Sequence, residues 1–140
     1  MTGANAALLN EARNGRFSLE HLAQYEENYI LTGGSKSLAH YYDVVGGAAV
    51  FHPELGSNIT WAQYNLATDA SFNEFEFILC RSGLNDYASR LRRRAFQLFF
   101  DSLPTFGILS IIGADYLEVA PFVSLYKVIS PKLGLYRRIK

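Results

Sequence analysis

The chain has 140 residues, 49% apolar, 14% aromatic and 19% charged, enough for one domain with a proper hydrophobic core. The chain is richer in aromatics and poorer in charge than a typical monomer, which suggests that neighbouring subunits cover some of the apolar surface. Thirteen basic and thirteen acidic residues cancel, which removes a global electrostatic case for nucleic-acid binding.

In chain order, Asn5 to Asn14 predicts a short helix stopped by Gly15. Ser18 stands where an N-cap belongs, and a second helix runs to about Tyr29. Residues 32–37 form a loop. Ala39 to Val45 fits strand or helix equally. Ala48 to Phe51 and Ile59 to Leu66 read as strands, the second through alternating β-branched and aromatic residues. Ser71 to Cys80 alternates as a longer strand, with Phe75, Phe77 and Leu79 on one face and Glu74 and Glu76 on the other. Leu84 to Phe100 is the clearest amphipathic helix, with Asn85 or Asp86 able to cap it. Phe106 to Ile112 and Tyr116 to Ile129 read as further strands, and Pro121 implies an edge or a bulge.

These elements predict an α+β fold: a largely antiparallel sheet, one packed helix over about 84–100, and short N-terminal helices. A single domain over 1–140 would comprise a helical segment 1–30, a sheet-and-helix core 48–129 and a tail 130–140. Phe75, Phe77, Leu79, Leu91, Ala95, Leu98, Ile111 and Val119 are the expected core. No secretory leader is evident, and no apolar run approaches the ~20 residues of a membrane span. The expectation is a soluble chain made in a reducing compartment, without membrane contact.

Motifs for chemistry are sparse. Cys80 is the only cysteine, which excludes an intramolecular disulfide and a multi-thiolate zinc site; it reads as a buried, inert thiol. Residues 33–37 resemble a phosphate-binding loop, but Ser35 stands where the glycine before Lys36 is required. His21, His40 and His52 lack ligand spacing, and a metal site assembled from His40, Asp43 and His52 is the alternative to none. No Gly-x-Ser-x-Gly elbow and no Gly-x-Gly-x-x-Gly fingerprint occurs. The reading is therefore a non-enzyme with no catalytic residue, metal or cofactor. Arg90, Arg93 and Arg94 fall within one helical turn, and with Glu74 and Glu76 they form a candidate subunit interface.

The run Ile59-Thr-Trp-Ala-Gln-Tyr-Asn-Leu66, followed by Phe72 to Leu91, resembles the tail-terminator proteins of long-tailed bacteriophages over about residues 48–129. The resemblance implies a ring-forming structural protein of the virion, assembled in the host cytoplasm. Its partners would be itself, the tail tube, the head connector and passing DNA. The competing classes are a partner-binding module, or a small-molecule binder or enzyme whose pocket uses Tyr41, Tyr42, Trp61 and Tyr64.

Overall fold

The computed structural model describes residues 1–71, 73–81, 84, 87–112 and 123–140. The fold is α+β, with mostly antiparallel strands. The chain divides into two compact units, Met1–Tyr64 and Asn65–Lys140. That boundary falls inside the stretch 48–129 that the sequence reads as one core. Among the described residues, no helix is long and apolar enough to cross a membrane.

In the first unit, β1 (Thr2–Gly3) pairs in parallel with β5 (Ala62–Gln63). Helix α1 (Ala6–Arg13) starts where Asn5 accepts hydrogen bonds from the amides of Ala7 and Leu8 and so caps it. A three-stranded antiparallel sheet follows from β2 (Arg16–Ser18), β3 (Tyr42–Val45) and β4 (Ala48–Phe51), with β4 central. Strand β2 lies in the break between the two helices expected over 1–30, where no strand was expected. Gly15 and the Ser18 cap leave three residues that the Ala48–Val50 edge recruits. Helix α2 (Leu22–Leu31) comes after the Ser18-capped turn. The undecided stretch 39–45 is both: a short 3-10 turn, then β3.

In the second unit, β6 (Phe77–Cys80), β7 (Ile108–Ile111), β9 (Leu135–Arg138) and β8 (Tyr126–Ser130) form a four-stranded sheet in that order. Strands β6 and β7 are parallel and the other pairs antiparallel. A parallel pair needs a long crossover, and α3 (Ser89–Asp101) supplies it. Ala95, Phe96, Leu98 and Phe99 are its buried side. Ala95, Phe96 and Phe99 share one cluster with Leu84, Leu103, Leu109, Ile111, Tyr126 and Tyr136, and Ile78 and Cys80 pack against it.

Several expected boundaries shift, each for a local reason. The strand before Cys80 begins only at Phe77, because Asn73 turns its side chain onto the Glu74 amide and the Phe75 amide donates to Ser102. Glu74 and Glu76 are exposed but precede the strand, so they do not share a sheet face. Phe77 and Leu79 are 53% and 54% exposed, which removes both from the core. The core face of β6 is Ile78 and Cys80 instead. Phe75 and Leu91 are half-buried, whereas Ala95, Leu98 and Ile111 are buried as expected. Helix α3 starts at Ser89 rather than Leu84, because Ala88 is extended (φ −55°, ψ 149°). Leu84 still reaches the core from a turn, so helical spacing there reflects burial without helix. The strand expected over 59–66 shrinks to two residues; after it the Asn65 side chain bonds the Ala67 amide and turns the chain. Asn85, Asp86, Val119 and Pro121 lie outside the described residues.

The presumed tail 130–140 is the largest correction. Gly134, at φ +58°, closes a turn onto Pro131 and delivers β9 between β7 and β8. Tyr136 is buried in the core. Arg138 donates to the carbonyls of Phe100 and Leu103 at the end of α3, and its guanidinium lies 3.8 Å from the centre of the Phe100 ring. The Phe100 carbonyl also accepts from the Leu103 amide, so the charged donor reinforces the chain where it leaves the helix.

Candidate functional site

The three arginines singled out by the sequence sit on the first two turns of α3, all exposed. They do not act as one face. Arg94 is committed within the unit: its guanidinium donates to the carbonyls of Thr68 (3.1 Å) and Asp69 (3.2 Å). The 65–69 turn that receives it is preorganised. Asp69 Oδ2 accepts from the Asn65 amide at 2.8 Å, and Oδ1 from the Thr68 hydroxyl at 2.9 Å. These two bonds, with the Arg94 charge adding less, hold the Asp69 carboxyl below the usual carboxylate range.

Arg90 and Arg93 have no hydrogen-bond or ion-pair partner among the described residues. Ala67, Ala88, Arg90, Leu91 and Arg94 line an open groove of about 540 Å³. Arg94 is spent on its wall, so Arg90 is the cation left to meet a ligand. Leu91 and the two alanines add an apolar floor. The groove can therefore hold an anionic group beside a short apolar one. Sequence reasoning found the arginines but not the groove, because the pairing of Arg94 with residues 68 and 69 is a tertiary contact. Glu74 and Glu76 are not among its lining residues.

The other sequence candidates separate. His52 Nε2 lies 3.4 Å from Asp43 Oδ2, and its Nδ1 lies 3.7 Å from Glu54 Oε1. The His40 ring faces the Ser37 carbonyl at 3.1 Å, away from that pair's chemistry. No group of three potential ligands able to hold a metal occurs among the described residues. In the 33–37 loop, the Leu38 amide bonds Glu26 (2.7 Å) and Gly34 lies against the Tyr29 ring, where a Cβ would collide. That loop is tied down rather than open to phosphate. Tyr41 pairs with Tyr29 through their hydroxyls (3.3 Å), and Tyr42 stacks edge-on to Phe51. The adjacent tyrosines are thus engaged with different neighbours.

No family model matches this sequence. Over 137 residues, 98% of the chain, it is 31% identical to a protein of Pseudomonas putida named "Putative methyltransferase Cher3". It is also 26% identical over 80 residues, 57% of the chain, to an uncharacterised 104.1 kDa protein of Rhodobacter capsulatus. The chain spans half of the first relative's length and 8% of the second's. The similarity to the first overturns the reading of a non-enzymatic virion component: it extends along nearly the whole chain and points to an enzyme. The phage resemblance rested on an order of strand, strand, helix and strand, which many α+β proteins share. Among the alternatives weighed from the sequence, the enzyme is the better supported.

Proposed function

We propose that this chain forms part of a methyltransferase and that the α3 groove positions the methyl acceptor. The observation that carries the reading is the 31% identity sustained over 98% of the chain. Methyl transfer needs a donor and a nucleophilic acceptor held in line, so much of catalysis is positioning. A biological methyl donor such as S-adenosylmethionine brings a nucleoside, whose hydroxyls call for hydrogen-bond acceptors and whose ring calls for a slot. The groove does not fit it: the side chains of Ala67, Ala88, Arg90, Leu91 and Arg94 offer two guanidiniums and no acceptor.

Those same residues suit an acceptor that carries an anionic group. Arg90 would pair with the anion, Leu91 would pack on the adjoining carbons, and Arg94 would keep the wall in place through Thr68 and Asp69. The test is a chimera in which this chain replaces the matched region of the Pseudomonas putida relative, assayed with methyl-labelled S-adenosylmethionine in a cell extract. The chimera should label the acceptors that the parent labels. Arg90→Ala should raise KM about tenfold with little change in kcat, as loss of a uniform binding contact does. A chimera that transfers no label where its parent does would overturn the proposal.

A further inference from the structure

The sheet of the second unit has two unlike faces. Leu109, Ile111, Tyr136, Ile78 and Cys80 face α3. By register, Phe77 lies beside Ile108 and Arg137, and Leu79 beside Ser110 and Leu135, on the opposite face. There Phe77 and Leu79 are about half exposed, and Lys127 and Arg137, adjacent across β8 and β9, are exposed with no ion-pair partner among the described residues. Phe77 and Leu79 stand on the edge strand of the sheet, in its parallel pair. Parallel strands are ordinarily covered on both faces, because their crossover helices pack on each side. Here one side of the pair has its helix and the other carries two large uncovered apolar side chains.

We infer that this face is a docking surface for an amphipathic helix whose apolar stripe covers Phe77, Leu79 and Ile108 and whose acidic flank meets Lys127 and Arg137. The polypeptide that supplies it corresponds to the half of the Pseudomonas putida relative that the chain does not match. Charge placement favours that occupant over a second copy of this chain. Two copies placed face to face about a two-fold axis would bring the Lys127 and Arg137 clusters into one interface, and the four strands carry no carboxylate among the described residues to neutralise them. The inference does not depend on the reaction proposed above, and its test reads binding alone.

The probe is the unmatched part of the relative, made as a separate polypeptide and titrated into the full chain by calorimetry. A saturable one-to-one complex is expected, with slowed hydrogen exchange at Phe77–Cys80. Leu79→Asp, at an exposed position, should weaken it about tenfold or more, as loss of a central apolar anchor does. Lys127→Glu with Arg137→Glu should weaken it too and flatten its salt dependence. Val44→Asp, exposed in the first unit, should leave it unchanged. Circular dichroism checks each fold. No complex, a complex indifferent to Leu79→Asp, or self-association of the chain abolished by that substitution would each overturn the inference.

Discussion

Residues 65–140 and residues 1–64 stabilise themselves in different ways. The second unit buries a continuous cluster, with Leu103 and Leu109 fully enclosed. The first fully buries a single hydrophobic side chain, Ala49. In place of a core it has ladders around β4 and edge-on ring contacts, such as Phe17 with Phe51 at 5.0 Å and Phe17 with Tyr25 at 6.5 Å. Ring pairs of this kind contribute about 0.5–1.5 kcal/mol each beyond their buried area, against about 1.5–3 kcal/mol for a fully buried Leu. Aromatic content alone is therefore a poor guide to where a chain is stable. Enclosure decides.

The contrast is broken most forcefully in the core. Leu109→Ala should cost about 3–4 kcal/mol in urea unfolding, the range for a leucine removed from an enclosed site. Phe51→Ala, half-buried in the first unit, should cost about 1–2 kcal/mol because solvent already reaches the ring. Equal losses would erase the distinction between the units.

Arg138→Met should destabilise the second unit by about 2 kcal/mol. The carbonyls of Phe100 and Leu103 would lose a charged donor at the end of α3 while the side-chain stem is retained. A denaturation midpoint unchanged by the substitution would show that water replaces the guanidinium there.

Tyr126 sharpens the comparison through pH. Its hydroxyl is buried without a partner among the described residues, and burial pushes its pKa up to about 12, with the Arg138 charge opposing. In the unfolded chain it titrates near ~10. The folded state thus holds the proton more tightly. The associated stability is whole below pH ~10 and is lost as the pH rises from there toward 12. Tyr126→Phe should flatten the alkaline limb of the stability curve. A limb of unchanged slope would place the titration elsewhere.

The smallest effect belongs to the first unit. Asn5→Ala should cost about 1 kcal/mol by removing the bonds to the Ala7 and Leu8 amides, seen as reduced helicity at low denaturant.

Much of this was legible where local and tertiary forces agree. Helix α1 formed within Asn5–Asn14, β4 formed where Ala48–Phe51 runs apolar between turns, and Ala95, Leu98 and Ile111 reached the core. Where one pattern had two physical outcomes, reading from sequence failed. Alternation placed Phe77 and Leu79 on one face correctly but could not say which face α3 would cover. Leu135–Arg138 read as part of a tail, although Tyr136 reaches the core and Arg138 donates to carbonyls at the end of a helix. The site was half visible: spacing found Arg90 and Arg94, while the turn that engages Arg94 depends on contacts 25 and 26 residues away. An enzyme entered the sequence reading only as an alternative, because the residues carry no signature of a particular chemistry.

Native-state hydrogen exchange of the intact chain tests the contrast between the units most directly. Amides of Ile108–Ile111 and Leu135–Arg138 should open with the largest free energies in the molecule, near that of global unfolding. Those of Tyr42–Val45 and Ala48–Phe51 should exchange through openings of lower energy. Equal protection of the two sheets, or slower exchange in the first, would contradict the account.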